Sequence, residues 1–435
     1  MNTTNMNKQD DKQERVTPKL RFPEFQMELE WRKDNLGNLF TERKEKGYPN
    51  LPLLSLTEQN GIIPQAETNR KNNSSLDKSK YLRVCYGDIA YNTMRMWEGR
   101  SAFVNMEGIV SPAYTICIPK NHINSFFYSY YFKLPNLISE FHRYSQGLVK
   151  DTLNLKFDKF AQISVGVPPK SEEQQKIADC LSSIDELIEL QEQKLAALKQ
   201  HKKGLMQQLF PSHNDLQASK QASKQASKQA SKQAIVYPKL RFPQFKDCKG
   251  WEVVELEELF DLTIQNEKAN SFDKDKIITV KLHTLGVVKN ERTDTLTGGA
   301  NYFHRKAGDF IFSKIDFLNG AFGIVPNELD GFCSSSDIPS FSFKPESNAN
   351  FFMYWLKANY LDFKIERAGT SNTLKRISPK ALFAMQLPIP LPEEQQAIAD
   401  CLSSLDKLIS EENEQIGRLK DHKKGLMQQL FPKIQ

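Results

Sequence analysis

Two stretches of the chain have an apolar pattern that predicts long amphipathic helices. Their hydrophobic residues recur at alternating steps of four and three, a narrow stripe typical of a helix that pairs with another helix. The first stripe consists of Ile177, Leu181, Ile184, Ile188, Leu195 and Leu198. The second consists of Ile398, Leu402, Leu405, Ile409, Ile416 and Leu419. Ser171 and Gln174 predict a capping box at the start of the first helix, and Pro211 and Pro432 predict where the two helices end.

Polar residues occupy the remaining positions of both stripes, Gln191 and Lys202 in the first and Glu412 and Lys423 in the second. They either set the register of the two helices or lie at solvated ends of the stripe, and both interpretations stay open. Each helix could also pack only on its own module. Each helix spans about 35 residues, or roughly 50 Å, and a long narrow stripe on such a helix favours pairing of the two helices with each other.

An internal repeat explains why the two stripes match. The segment PKLRFP at 18–23 recurs at 238–243 with an offset of 220, and 201–211 recurs unchanged at 422–432 with an offset of 221. This near-constant offset indicates that one module and its helix were duplicated. Two copies related by approximate two-fold symmetry pair their helices most simply as an antiparallel coiled coil, which we expect here.

Between the repeated ends, each copy has short strand-like runs separated by turn signals. In the first copy these runs are 81–86, 89–91 and 113–118. In the second copy they are 277–280, 310–312 and 341–343. A helical pattern follows in each, near 126–141 and 351–367. We therefore predict two pseudo-symmetric modules of mixed α/β fold, separated by the two long antiparallel helices.

The two modules share turn residues but differ in the side chains around them. Gly99 corresponds to Gly320 at the offset of 221, whereas NTMRMWE at 92–98 is replaced by SKIDFLN at 313–319. One frame that presents two different recognition surfaces would give this pattern. Ordinary divergence of surface loops would give it as well, and the sequence leaves this alternative open.

Side chains in and near these turns are of the types that bind nucleic acid. Arginine and lysine bind guanine in the major groove, asparagine binds adenine, and short polar side chains hold phosphates. In the first module the candidates are Lys71, Asn92, Arg95, Arg100 and Lys150. In the second they are Lys281, Lys314, Asn319, Lys375 and Arg376. Any one of them alone could be a solvated surface residue, so the prediction rests on the group.

Charge and composition narrow the class of protein. Residues 18–168 contain 20 basic and 15 acidic side chains, a net charge of +5, whereas 238–390 contain 20 and 19, a net charge of +1. The first module is thus the more attractive to a polyanion. The six cysteines form no CxxC pair, and no apolar run reaches the roughly 20 residues of a membrane span. We expect a cytoplasmic protein with reduced thiols and without a zinc site.

A tandem array separates the two copies. Residues 217–232 are four perfect copies of Gln-Ala-Ser-Lys. Because this composition can form a helix, each unit could add about 6 Å to a spacer whose length depends on copy number. A solvated low-complexity linker is the alternative, and the sequence does not decide between them.

Motifs of catalysis are missing from the sequence. It contains no GxxxxGK phosphate loop, no HExxH, no glycine-rich dinucleotide fingerprint and no Asn-Pro-Pro-aromatic segment of an amino-methyltransferase. The seven histidines are scattered. We therefore predict a binding protein without catalytic residues, bound metal or cofactor.

Three motifs, in this order, resemble those of the specificity subunits of type I restriction-modification systems. They are KLRFP at 19–23 followed by Trp31, a proline-rich segment that leads into EQQxIA at 168–178 and 388–399, and LMQQLFP at the end of each helix. The resemblance covers residues 18–432. It implies two target recognition domains at 18–170 and 238–391, a central conserved helix at 171–210 and a C-terminal one at 392–435. A disordered tail at 1–17 and a spacer at 211–237 complete the expected organisation.

In such a subunit each recognition domain binds one half of a split DNA target, and the helices set the gap and dock two methyltransferase subunits. The resemblance implies a non-catalytic subunit that directs adenine methylation, or DNA cleavage once restriction (motor) subunits join. S-adenosylmethionine, ATP and Mg²⁺ would be bound by those partners.

Two other functions stay open, a stand-alone bipartite DNA-binding regulator and a coiled-coil scaffold with two protein-binding modules. The scaffold predicts no salt-sensitive DNA affinity. Apolar positions outside the stripes, Leu187 and Met206 matched by Leu408 and Met427, favour partner enzymes over the regulator.

Overall fold

The computed structural model describes most of the 435 residues. The described ranges are 14–57, 61–68, 77–212, 215–219, 234–263, 266–269, 273–291, 301–365 and 375–433. Lys71 and most of the Gln-Ala-Ser-Lys array lie outside them, so the predictions made for these residues are not addressed by the structure. Among the described residues, no helix is both long and apolar enough to cross a membrane.

The chain divides into two compact units that do not follow the repeat boundaries. The first unit comprises Met1–Gln193 and Glu414–Gln435, and the second comprises Lys194–Asn413. Each unit therefore contains one module, the beginning of the long helix that follows it, and the end of the other long helix. The domain boundaries implied by the resemblance stay a prediction.

Both long helices predicted from the apolar stripes are present. The first long helix is Ser171–Leu209 and the second long helix is Pro392–Leu430. All twelve stripe residues are buried or half-buried. Within the described ranges, further α-helices are Leu36–Leu39, Ser125–Tyr131, Pro135–Tyr144, Phe157–Phe160, Ala349–Asn359 and Pro379–Phe383, and residues 215–219 are also helical.

The described residues of the first module form four small antiparallel sheets. Trp31–Asn35 is the central strand of one, between Arg15–Val16 and Ser164–Val167. A four-stranded sheet has the order Phe40–Glu42, Tyr114–Pro119, Ile89–Asn92, Ser101–Phe103. Leu54–Leu56 forms a hairpin with Ile62–Pro64, and Leu82–Val84 pairs with Gly108–Val110 across two intervening strands.

The second module repeats the three-stranded sheet and has its other strands in smaller groups. The repeated sheet has the order Ile235–Val236, Trp251–Glu255, Gln386–Ile389. A second three-stranded sheet has the order Phe322–Ile324, Phe310–Phe312, Ser340–Phe341. The two pairs are Ile278–Val280 with Val287–Lys289 and Tyr302–His304 with Cys333–Ser335. The content is mixed helix and strand in both units, as predicted.

Each core is closed by the end of the long helix that belongs to the other copy. In the first unit, Phe431 stacks near Phe127 and Tyr131, with ring centroids 5.0 and 4.7 Å apart. In the second unit, Phe210 lies 5.6 Å from Phe351. Burying one such side chain contributes roughly 1.5–3 kcal/mol. The LFP ends of the repeat thus fill cores, and the alternative in which each helix packs only on its own module is wrong.

Within each unit, the segments of the two long helices run antiparallel, because the residue number of one partner falls as that of the other rises. The ion pairs are Asp185–Lys423 and Glu192–Lys420 in the first unit, and Lys194–Glu412 and Lys202–Asp406 in the second. Glu412, Lys202 and Lys423 therefore set the helix register rather than lying at solvated ends. Gln191 is half-buried, and its Oε1 has no partner among the described residues.

Three local predictions need correction. Residues 14–17, assigned to a disordered tail, include a strand, because Arg15–Val16 pairs with Trp31–Asn35. The predicted helix at 126–141 is two helices, since Pro135 starts a new one after Leu134. The capping box at Ser171 does not form; the Gln174 side chain instead bonds to the backbone of His122 and Asn124.

Candidate nucleic-acid interface

A buried ion pair joins the two most diagnostic motifs of the first unit. Arg21 of the KLRFP motif donates from Nε and Nη2 to the two carboxylate oxygens of Glu173, at 2.6 and 2.7 Å. Its Nη1 also donates to the carbonyl of Glu28, and Trp31 Nε1 donates to Glu173. The hydrogen bond to Glu173 raises the pKa of Arg21. The motif therefore fixes the module at the start of the first long helix.

The second unit repeats this ion pair with one difference. Arg241 donates to Glu394 at 2.8 and 2.6 Å and to the carbonyl oxygens of Cys248 and Lys249. The indole nitrogen of Trp251, however, is buried without a hydrogen-bond partner among the described residues. Glu394 therefore depends more heavily on its arginine than Glu173 does.

A second repeated contact joins a module helix to a long helix. Asn124 caps Ser125–Tyr131 by accepting from Phe127 N, and its amide donates to Gln175 at 2.7 Å. Asn348 caps Ala349–Asn359, and its amide donates to Gln396 at 3.0 Å. The glutamines of the EEQQ motif thus hold the capping residue of each module helix.

The turn with different side chains in the two modules has the same backbone in both. Each begins after a buried strand, forms one 3-10 turn and ends at a left-handed glycine, Gly99 with φ 77° or Gly320 with φ 79°. A side chain at Gly320 would also approach within 2.9 Å of the backbone of Thr284, so glycine is required there. One frame therefore presents two different sets of side chains.

In the first module this turn displays two arginines around one carboxylate. Arg95 lies 3.4 Å and Arg100 lies 3.1 Å from Glu98, and the Arg95 side chain is 56% exposed. Asn92 has a local role, because its Oδ1 accepts from the backbone nitrogen of Met94. The structure thus brings Arg95 and Arg100 together and uses part of Asn92 to build the turn.

The candidate Lys150 lies in a loop next to this turn. The backbones of Gln146 and Asn154 pair in both directions at 2.9 Å, and the nitrogen of Leu155 donates to the carbonyl of Thr93. Lys150 is exposed near the tip of the closed loop, beside the fully exposed Leu148. These contacts place the loop base against the arginine turn.

A basic cleft adjoins the same surface and was not predicted from the sequence. The basic cleft has a volume of about 520 Å³ and is lined by Lys44, Lys46, Lys156 and Thr93, with Glu42 and Asp158 as its acidic residues. The three lysines are exposed. Lys44 and Lys46 are two residues apart in extended chain, so their side chains lie on one side. The spacing of Lys44 and Lys46 is visible in the sequence, but both lysines lie outside the turns from which the candidates were taken.

In the second module, two candidates lie on adjacent loops. The nitrogens of His283 and Thr284 donate to the carbonyls of Asn319 and Gly320, at 2.8 and 2.9 Å. The loop that begins at the exposed Lys281 therefore packs on the turn that contains Asn319. The Asn319 amide itself donates to Asp316, so its side chain is partly occupied within the turn.

The other candidates of the second module surround Asp337. Arg376 binds this carboxylate at 2.8 and 2.9 Å, and its hydrogen bonds lower the pKa of Asp337. The backbone of Lys314 bonds to Asp337 and Ile377, which places Lys314 in the same group. Lys375 is exposed beside it. The guanidinium of Arg376 is thus engaged in an ion pair, a role that its position in the sequence did not indicate.

The described residues include no group of three histidine, cysteine or acidic side chains placed to hold a metal ion. The nearest arrangement to a reactive pair is Cys333 with its sulfur 3.4 Å from His304 Nδ1, and burial raises the pKa of that thiol. A neutral thiol is a weak nucleophile. The neighbouring Arg305 is buried and donates to Ser334 Oγ, so it holds two strands together.

Two archaeal proteins are similar to this chain over most of its length. The type I restriction enzyme MjaVIII specificity subunit of Methanocaldococcus jannaschii is 24% identical over 377 residues, 81% of this chain and 82% of that protein. The putative type I restriction enzyme MjaX specificity subunit of the same organism is 25% identical over 374 residues, 82% and 80% of the two chains.

Solved structures share the fold at low sequence identity. The S subunit of the type I restriction-modification system from M. genitalium is 13% identical, with a TM-score of 0.55 over 97% of this chain and 100% of that one. A chain from a study of complex assembly and conformational transition in the type I R-M system gives a TM-score of 0.50 at 13% identity, over 92% and 97% of the two chains. The model of the type I restriction modification DNA specificity domain matches twice, at residues 28–200 and 248–420. Those two matches cover most of the sequence, and the chain belongs to the family of type I restriction-modification specificity subunits.

Proposed function

We propose that this chain determines the DNA sequence recognised by a type I restriction-modification complex, with each module binding one half of a split target. The two long helices set the gap and dock two methyltransferase subunits, so that bound complexes methylate adenine. With restriction subunits present, the same target directs cleavage.

The repeated turn is the observation that supports this proposal most directly. Its backbone ends at a left-handed glycine in both modules, yet arginines surround it in the first module and Lys314 and Asn319 lie on it in the second. Two half-sites of different sequence require such a pair of surfaces on one frame. Lys46 and Lys156 add positive charge beside the first turn and would hold phosphates, whereas Lys44 in the same cleft pairs with Glu42 at 2.9 Å.

Exposed leucines on the helices support the docking of partner subunits. Leu187 is 50% exposed and its repeat mate Leu408 is 46% exposed. Met206 and Met427, by contrast, pack against the module cores and do not belong to this surface, contrary to the expectation from the sequence. Matched apolar positions on both helices suit two copies of one partner.

The chain itself would be non-catalytic. S-adenosylmethionine would be bound by the methyltransferase subunits, and ATP and Mg²⁺ by the restriction subunits. We place the complex in the cytoplasm, where its DNA substrate lies.

The test is methylation sequencing of DNA from cells that express the chain with its methyltransferase subunit. We expect one split adenine-methylated motif. Arg95→Ala should relax one half of the motif only, with a loss of discrimination of about tenfold at a single base pair, since one bidentate contact contributes about 1–3 kcal/mol. Arg143→Ala is the matched control, because Arg143 is an exposed arginine of the same module that pairs with Glu140 outside the turn.

The outcomes distinguish the proposed function from its alternatives. A split motif with one relaxed half supports both the function and the role of Arg95. An unchanged motif in the Arg95→Ala complex removes that residue from the interface. A complex that forms but methylates no motif contradicts the function, and salt-sensitive DNA binding by the chain alone would then favour a regulator over a scaffold.

A further inference from the structure

The same three-residue network occurs in both units. In the first, the Tyr130 hydroxyl donates to Asp185 Oδ2 at 2.9 Å, and Lys423 Nζ binds Asp185 at 2.5 and 2.6 Å. In the second, Tyr354 donates to Asp406 at 2.8 Å and Lys202 binds Asp406 at 2.5 Å. Each network joins a module helix, the long helix that follows this module, and the other long helix.

The geometry of the two networks agrees in detail. The lysine ammonium lies 5.0 Å from the centre of the tyrosine ring in both units, as a cation–π contact requires. Burial and the adjacent carboxylate raise the pKa of Tyr130 and of Tyr354. Each hydroxyl therefore keeps its proton and donates to the aspartate, while the lysine supplies the opposite charge.

The position of the network along the helix gives it a mechanical role. Asp185 lies 12 residues after Glu173, and Asp406 lies 12 residues after Glu394, so each network is an attachment point about 18 Å from the arginine–glutamate pair of its module. The capping asparagine of each module contacts the long helix close to that pair, at Gln175 or Gln396. Attachments at the start of the helix alone would let a module tilt about that end, and a further attachment about 18 Å along the helix fixes the tilt.

The network also couples this tilt to the pairing of the helices. Lys420–Glu192 and Lys194–Glu412 join only one long helix to the other. Asp185, by contrast, binds a lysine of the other long helix and a tyrosine of the module at the same time. A shift of either helix would therefore move the acceptor of the module's hydroxyl.

We propose that the Tyr130–Asp185–Lys423 and Tyr354–Asp406–Lys202 networks are positioning elements that fix each module's tilt on its helix pair, and so the length of the gap between the two half-sites. This inference rests on the proposed function. A tilted module would reach base pairs displaced along the DNA, where successive base pairs are about 3.4 Å apart.

The test compares the gap in methylated motifs from complexes that carry Tyr130→Phe, Tyr354→Phe or Tyr128→Phe. Tyr128 is the matched control because it lies on the same helix as Tyr130, and its buried hydroxyl has no partner among the described residues. We expect both network variants to raise methylation at gaps one base pair longer or shorter by roughly tenfold, because a hydrogen bond to a charged group shifts an equilibrium by about that factor. The two half-site sequences should stay unchanged, and Tyr128→Phe should keep the wild-type gap.

A charge exchange provides a second variant. Asp185→Lys alone should broaden the gap, and adding Lys423→Asp should narrow it only in part, because the ion pair between the helices is restored with the charges reversed while Tyr130 has lost its carboxylate acceptor. An unaltered gap distribution in Tyr130→Phe and Tyr354→Phe, even with a lowered Tm, would overturn the positioning role and leave only a structural contact. A wild-type complex that methylates no split motif would refute the proposed function itself. A wild-type complex with one gap that the variants share would refute only the positioning role.

Discussion

Changing the number of Gln-Ala-Ser-Lys units should leave the gap between the half-sites unchanged. The sequence permits a helical array that lengthens a spacer, but the contacts of the residues on either side of it favour a loop whose two ends lie side by side. The first long helix ends at Leu209, before the array, and Phe210 is buried in the core of the second module. Beyond that point, additional residues do not lengthen the helix.

Residues at the start of the array contact residues that follow the array. Ser219 Oγ donates to the carbonyl of Ile235 at 2.8 Å, and Leu216 is buried against Val236 and Val253. Ser219 and Ile235, which are 16 positions apart in the chain, therefore lie next to each other. A helical spacer would add about 6 Å, nearly two base pairs, per unit. In a loop whose two ends lie side by side, adding or removing one unit changes only the free energy of loop closure, by about 0.3 kcal/mol.

The assay is methylation sequencing of cells that express variants with three, four and five units. The expected result is one motif with one gap in all three, and Tm values that agree closely. A positive control duplicates 187–193 and 408–414 together, which keeps the apolar stripes in phase and should lengthen the gap by about 10 Å, or three base pairs. A gap that grows with copy number would refute the loop interpretation and show that the array itself sets the spacing.

Two further predictions concern the frame and the partner surface. Arg21→Ala should lower the free energy of unfolding by about 3–5 kcal/mol, because it leaves Glu173 buried without its cation. Arg241→Ala should lower it further, since Trp251 does not donate to Glu394. Calorimetry that found the larger loss for Arg21→Ala would contradict this reasoning. Leu187→Asp with Leu408→Asp should prevent co-purification of the methyltransferase subunit while leaving Tm unchanged. Lys199→Asp, an exposed change on the same helix, is the control, and retention of the subunit by the leucine variants would exclude this surface.

Periodic and repeated features of this chain could be predicted from its sequence. The long helices follow from the spacing of Ile177 to Leu198 because a stripe of that length has few other structural solutions. Two features that were not predicted, the Arg15–Val16 strand and the helix break at Pro135, are nevertheless indicated by the sequence. Val16 matches Val236 at the offset of the repeat, which would have assigned Arg15–Val16 to the sheet, and Pro135 marked the break between the two helices.

The candidate interface was less predictable because its side chains have partners distant in sequence. Arg376 and Asp337 are 39 residues apart, and no local pattern indicates that they form an ion pair. The same is true of Arg21 and Glu173, which are 152 residues apart although both belong to recognisable motifs. The residue type at a turn therefore identifies a candidate for DNA contact. Whether that side chain is available to DNA depends on nearby carboxylates, and only the fold shows which carboxylates are near.

The internal repeat distinguishes contacts that both units share from side chains that differ between the units, without any other sequence. Three contacts between module and helix occur in both units: arginine with glutamate, capping asparagine with glutamine, and tyrosine with aspartate and lysine. The side chains on the glycine-terminated turns differ completely. The buried Met96 and Phe317 hold the two turns to their cores, so the exposed side chains can change without loss of the frame. The left-handed Gly99 and Gly320 keep one backbone shape at the surface where the chemistry differs, which is what a protein needs to present two specificities from one scaffold.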